Sequence, residues 1–139
     1  MSKNKSPKSQ QSSKKGKTST PSIAEMDAII QSYYHETAEA LLNKATALAN
    51  KHPHHSFPWE FISIAQEMLG HLEQAHSAGK RAVQLDPMNA EAQSNLGNLF
   101  RTSGNLAEAE SCYRKALRTK PNLVQAWNNL ALVLDENSQ

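Results

Sequence analysis

A single cysteine, Cys112, is all the chain carries in 139 residues, which excludes an intramolecular disulfide and a cysteine-based zinc site and makes a reducing, cytoplasmic setting the expectation. No apolar run approaches the roughly 20 residues a membrane-spanning helix needs, and no hydrophobic segment follows the lysine-rich start to form a secretory signal. A membrane is therefore not an expected partner. A strong charge of one sign is missing too. The formal net charge is +2, but Lys3, Lys5, Lys8, Lys14, Lys15 and Lys17 all precede the first acidic residue, Glu25. The rest sets nine basic against thirteen acidic residues, a mildly acidic body. The isoelectric point of about 8.7 thus reports on the tail, and nucleic acid is not an expected partner. The length allows one modest domain, too small for a catalytic unit plus a recognition unit.

Residues 1–21 are mostly Ser, Thr, Lys and Gln, with Pro7 and Pro21 and no large apolar side chain beyond Met1. Such a segment cannot bury enough surface to offset its ordering entropy, so a disordered basic tail is expected. Gly16-Lys17-Thr18 looks like the end of a phosphate-binding loop. The first glycine of that motif would fall at Gln11, however, and no strand precedes it, so no nucleotide or other cofactor is expected.

The remainder alternates Ala, Leu, Glu, Gln and Asn at helical spacing and predicts an all-α fold. Internal repetition specifies which kind. Pro53, Pro87 and Pro121 are 34 residues apart, and the residues between them recur. Counting from Ser56, Ala90 and Val124, position seven is Ile62, Leu96 or Leu130, and position eight is small: Ser63, Gly97 or Ala131. Position fifteen is Gly70, Gly104 or Ser138; position twenty is Ala75 or Ala109; position twenty-seven is Ala82 or Ala116. Small residues at eight, twenty and twenty-seven let two helices approach closely while the large apolar ones fill the space left. Glycine at fifteen ends the first helix in the left-handed conformation, proline at thirty-two ends the second, and Asn89 is placed to cap the next.

These positions resemble the tetratricopeptide repeat, most closely from Ala90 to Asn122, and the resemblance implies a right-handed superhelical stack of helix-turn-helix hairpins, an α-solenoid. The expected organisation is a tail at 1–21, a degenerate hairpin at 22–55, full repeats at 56–89 and 90–123, and the first helix of an incomplete repeat at 124–139. In the first full repeat Gly79 stands where position twenty-four is usually large, so a packing gap is expected there. The opening hairpin lacks a turn glycine at Tyr34-His35-Glu36-Thr37, and its Met26, Ile29, Ile30, Leu41 and Leu48 are expected to pack on the second. The order of tail, PSIAEMDAII, irregular hairpin, ALANKHPHHSFPWEF and regular repeats is similar to the N-terminus of bacterial repeat-containing glycosyltransferases of the protein O-GlcNAc transferase (SPINDLY-like) group. In that group the repeats hold protein substrate and a separate domain binds the UDP-sugar. No residue here matches the catalytic domain, so the chain itself is read as a non-enzymatic scaffold for a protein or peptide partner.

The family geometry implies that positions two, five, six, nine, twelve and thirteen face a concave groove. They correspond to Glu91, Ser94, Asn95, Asn98, Arg101 and Thr102, then to Gln125, Asn128 and Asn129. Asn95 and Asn129, one repeat apart, are expected to form two rungs of an asparagine ladder for a peptide backbone. Gripping a chaperone's terminal carboxylate, an alternative for this fold, is opposed by Ser94 where a lysine is wanted and by Glu60 one repeat earlier. Trp127, Leu130 and Leu134 are expected to leave an apolar end exposed, which suggests a longer array or self-association through the last helix. His52, His54 and His55 are read as a solvated loop rather than a metal site, Cys112 as a buried thiol, and Trp59 and Trp127 as seam-filling core.

Overall fold

The computed structural model describes residues 19–139, so the expectation of a disordered tail lies, up to residue 18, outside the described residues. Among the described residues are seven helices and no strand: α1 (Ile23–His35), α2 (Ala38–Lys51), α3 (Ser56–Met68), α4 (Leu72–Leu85), α5 (Ala90–Thr102), α6 (Leu106–Thr119) and α7 (Val124–Asn137). Successive helices pair as α1–α2, α3–α4 and α5–α6, and α7 packs on α6. No described helix is long and apolar enough to cross a membrane.

The helix ends follow local chemistry. Ser22 and Glu25 form a reciprocal capping box on α1, with Glu25 N–H donating to Ser22 Oγ at 3.0 Å and Ser22 N–H to Glu25 Oε1 at 2.8 Å. Thr37 caps α2 through Ala40 N–H at 3.1 Å, and Asn89 caps α5 through Ala92 N–H at 3.0 Å, as the repeat pattern predicts. Gly70 and Gly104 take φ values of 80° and 82°. In the first case His71 N–H reaches Gln66 C=O at 2.8 Å and Gly70 N–H reaches Glu67 C=O at 2.9 Å, the paired bonds that close a helix behind a left-handed residue. Asn105 to Phe100 and Gly104 to Arg101 repeat that geometry. The opening hairpin turns without glycine because Glu36 and Thr37 are both extended and Thr37 already caps the next helix.

Close approach within the hairpins is set by the small positions. Tyr113 is fully buried over Gly97, where an added Cβ would come within 2.8 Å of the ring. Ser63 instead donates its hydroxyl to Ala75 C=O at 2.8 Å. The gap expected at Gly79 is not there. Leu96 and Leu99, from the following hairpin, close over that glycine, with methyl carbons 3.3 and 3.5 Å from where its Cβ would be. Ile29, Leu41 and Leu48 of the opening hairpin share one core with Ile62, Ala65 and Ala78, as expected.

Three expectations need correction. Pro21 is buried and the Ser19 hydroxyl lies 2.7 Å from His52 Nδ1, so the last residues assigned to the tail are held against the end of α2. Leu130 is 4% exposed, packed with Ala126 and Val133 against Tyr113 and Leu117, and is not part of an exposed apolar end. Helical periodicity explains this: Ala126, Leu130 and Val133 share the face turned to α6, while Trp127 and Leu134 are turned away and are exposed. Trp127 is accordingly 52% exposed rather than core, its indole N–H held by Pro121 C=O at 2.7 Å.

Candidate functional site

A concavity of about 420 Å³ lies where α1, α3, α5 and the start of α7 converge. Its floor and walls follow from repetition: position five contributes Glu60 and Ser94, position six Phe61 and Asn95, and position two Glu91 and Gln125. Ile30, Tyr33 and Tyr34 close the α1 side, Ile64 adds an apolar contact, and Leu123 closes the α7 side. One end is therefore aromatic and aliphatic and the other polar. Tyr33 stands edge-on to Tyr34 at 4.9 Å and to Phe61 at 6.0 Å between ring centroids.

Four of the residues expected in the groove, Glu91, Ser94, Asn95 and Gln125, line this cavity. The others are placed differently. Asn98 Oδ1 accepts from both the Tyr113 hydroxyl and Asn129 Nδ2, the latter at 2.9 Å. Of the two asparagines expected as rungs for a peptide backbone, Asn95 stands in the cavity wall, and Asn129 donates to Asn98. Arg101 pairs with Glu136 at 2.6 Å, Thr102 donates back to Asn98 C=O at 3.0 Å, and Asn128 is exposed on α7 away from the cavity lining.

Glu60 is the residue that sequence reasoning under-read. It is 9% exposed, and its Oε2 accepts from Asn89 Nδ2 at 2.6 Å while Asn89 also reaches Ser56 Oγ at 3.2 Å. Burial pushes its carboxyl up to about 7; the Asn89 hydrogen bond opposes this, and Glu91 and Asp86 reinforce it. Glu91, by contrast, is held below the usual carboxylate range by its hydrogen bond to Lys120 at 2.7 Å. The available signal was a capping asparagine 29 residues beyond an acid on the preceding first helix, a spacing that has meaning only once the repeat is known.

The histidine loop also differs from expectation. His52 is 6% exposed rather than solvated, with Nδ1 at the Ser19 hydroxyl and Nε2 3.3 Å from Glu25 Oε1. These are the side-chain types of a hydrolytic triad, but the hydroxyl sits on the ring nitrogen that such a triad gives to its carboxylate. Glu25 is engaged by Lys51 and by the Ser22 N–H, which bring its carboxyl down to about 2. The cluster ties the start of α1 to the end of α2. His55 caps α3, accepting from Phe57 N–H at 3.2 Å. Cys112 is 7% exposed, as expected, and burial raises its thiol to about 11, away from the thiolate a nucleophile requires.

Paired helices of near-equal length, glycine-closed turns, a 34-residue period and a groove lined by the first helix of each pair define a tetratricopeptide-type α-solenoid. Residues 90–123 match the tetratricopeptide repeat family. Over 73 residues the chain is 44% identical to the probable UDP-N-acetylglucosamine–peptide N-acetylglucosaminyltransferase SPINDLY of Petunia hybrida, an alignment covering 52% of this chain and 8% of that protein. Among solved structures, the first repeat domain of Spaghetti (RPAP3) bound to an HSP90 peptide has a TM-score of 0.76 at 19% identity, covering 84% of this chain and 93% of that one. The O-GlcNAc transferase of Thermobaculum terrenum has a TM-score of 0.74 at 22% identity over 84% of this chain and 23% of that enzyme. The repeat region is thus similar to that of the SPINDLY and O-GlcNAc transferase group, and the chain spans less than a tenth of the length of the petunia relative.

Proposed function

We propose that the chain is a non-catalytic interaction scaffold of the cytoplasm that takes an extended peptide or partner segment along its concave face. The observation that carries this is the cavity of about 420 Å³, whose wall is built by repetition from α3, α5 and α7 and closed by the tyrosines of α1. Asn95 and Gln125 supply amide donors and acceptors to a bound backbone, and Phe61, Ile64 and the tyrosines supply apolar area. Glu91 and Ser94 complete the polar side, and Asn98, Asn129, Arg101, Thr102 and Asn128, which stand outside the cavity lining, are proposed as further contacts for a longer segment. The organisation that goes with this function is hairpins at 22–55, 56–89 and 90–123 followed by the single helix of 124–139. The test is selection of peptides from a random display library on the immobilised full chain, followed by binding to an Asn95→Ala/Gln125→Ala double variant. Loss of most of the affinity, about tenfold or more, is the expected result; selected peptides indifferent to both substitutions would remove the groove from the function.

The 44% identity to the petunia SPINDLY protein favours a second reading, in which this region recognises substrates for a protein O-GlcNAc transferase-like glycosyltransferase. Fusing the chain to an active transferase domain lacking its own repeats is expected to confer modification of peptides selected on the groove; a fusion that modifies them no better than the isolated domain would reject it. Self-association belongs to this proposal as well. Trp127 borders a shallow hollow of about 280 Å³ with Leu117, Arg114, Arg118 and Leu130. Sedimentation of the full chain beside Trp127→Ala/Leu134→Ala decides it, since a wild-type monomer at high concentration would end that part.

A further inference from the structure

The chemistry of one end of the cavity narrows the class of segment it takes, an inference that rests on the groove reading above. Glu60 borders the cavity although it is 9% exposed. Its one hydrogen-bond partner, Asn89, is neutral, and no lysine, arginine or histidine among the described residues pairs with it. The charged groups acting on it are also acidic. They are Glu91 on α5, whose own charge is met by Lys120, and Asp86 after α4, which accepts from Met88 N–H at 3.1 Å. A carboxylate so placed lacks the counter-charge that burial ordinarily demands. Tyr33 and Tyr34 of α1 and Phe61 of α3 line the same cavity, with Tyr33 edge-on to both other rings, and Tyr34 is 70% exposed. Aromatic faces attract cations, most strongly where water is partly excluded.

Two independent features, an uncompensated buried acid and a group of open rings, therefore call for the same ligand. We propose that this end of the groove is a pocket for a cationic side chain, a lysine or arginine of an extended peptide. Its charged head sits between the Glu60 carboxylate and the rings of Tyr33, Tyr34 and Phe61, and its aliphatic stem lies along Ile30 and Ile64. The same arrangement repels a terminal carboxylate or an acidic segment. Because burial holds the Glu60 carboxyl at about 7, the pocket is charged above neutrality and loses its charge below it.

The test uses the full chain and three blocked heptapeptides of one alanine-leucine sequence that differ only in a central lysine, glutamine or glutamate. The lysine peptide is expected to bind about tenfold more tightly than the glutamine peptide, with the glutamate peptide weakest. Glu60→Gln should abolish that advantage with helix content unchanged. Tyr34→Ala, at a position that is 70% exposed, should weaken the lysine peptide about fivefold with helix content unchanged. Between about pH 8 and about pH 6 the advantage should shrink from about tenfold to about twofold as Glu60 takes up a proton. Equal binding of the lysine and glutamine peptides, no binding of the lysine peptide at millimolar concentration, or an advantage that survives Glu60→Gln would each overturn the pocket. Peptides that bind without charge preference but are weakened by Asn95→Ala/Gln125→Ala would sink this inference alone. Binding indifferent to those positions and to Tyr34 would sink the groove as well.

Discussion

The hairpins α3–α4 and α5–α6 share one architecture and fill it with opposite choices. In α5–α6 a glycine at position eight, Gly97, lies beneath a tyrosine at position twenty-four, Tyr113, and the hydroxyl of that ring is taken up by Asn98. In α3–α4 position twenty-four is itself a glycine, Gly79, and position eight is Ser63, whose hydroxyl is spent on Ala75 C=O. The volume missing from the second pair is supplied from outside it, by Leu96 and Leu99 of α5. The α5–α6 hairpin thus fills its own interior, whereas α3–α4 is completed by its successor. In a repeat array this places stability in the interfaces between units as much as in the units. Position five carries the same contrast: Glu60 and Ser94 are both buried, one an acid and the other neutral.

Removing the tyrosine should break the comparison most severely. Tyr113→Ala deletes a ring that is 0% exposed and leaves a cavity over Gly97, at an expected cost of about 3–5 kcal/mol in urea unfolding. A loss under about 1 kcal/mol would mean that the hairpin collapses around the void as α3–α4 does around Gly79. Glu60→Gln should act next, and the size of its effect depends on pH. The folded carboxyl titrates near 7 and the unfolded one near 4.5, so the folded state binds the extra proton between those values and stability falls as pH rises through that window. Above it the ionised group costs up to about 3 kcal/mol, and the variant should be more stable than wild type by about 1–3 kcal/mol near pH 8 but equal to it near pH 4.5. A pH-independent difference would place the cause in packing. Gly97→Ala should cost about 1–3 kcal/mol, because the new carbon meets ring atoms that cannot turn aside. Its cost should fall when Tyr113→Leu is added. Gly79→Ala should be the mildest, within about 1 kcal/mol of neutral: the new carbon needs Ser63 Oγ at 3.1 Å, held by Ala75 C=O, and a Leu96 methyl at 3.3 Å to give by a few tenths of an ångström, and alanine gains helix propensity.

The contrast also explains what could be read from the sequence. The glycine-closed turns at Gly70 and Gly104, the Asn89 cap, the burial of Cys112 and the repeated small positions are local or periodic, and a residue string records such things directly. The filling of the Gly79 site was not legible, because its neighbours come from a different unit with no fixed residue type. Nor was the bond from Asn129 to Asn98, which crosses from one unit to the next and shares its acceptor with the Tyr113 hydroxyl. His52 was misread because three histidines around a proline look like solvated loop, and the contacts that bury it come from Ser19 and Glu25 in an irregular hairpin outside the repeat. Leu130 and Leu134 look alike in a string, but Leu130 is centred on the face packed against α6 while Leu134, a turn later and at the edge of that face near the end of the helix, is 40% exposed.

The two indole hydrogen bonds, Trp59 to Pro53 at 3.1 Å and Trp127 to Pro121 at 2.7 Å, place the two tryptophans of the chain at matching junctions, one between α2 and α3 and the other between α6 and α7. Each therefore emits from a different junction of the array, one partly shielded and the other open to water. Trp59→Phe and Trp127→Phe turn the protein into a pair of single-emitter molecules whose fluorescence follows each junction separately on heating. If the Trp127 signal moves first, the stack frays from its last helix inward; coincident transitions would make all seven described helices one cooperative block.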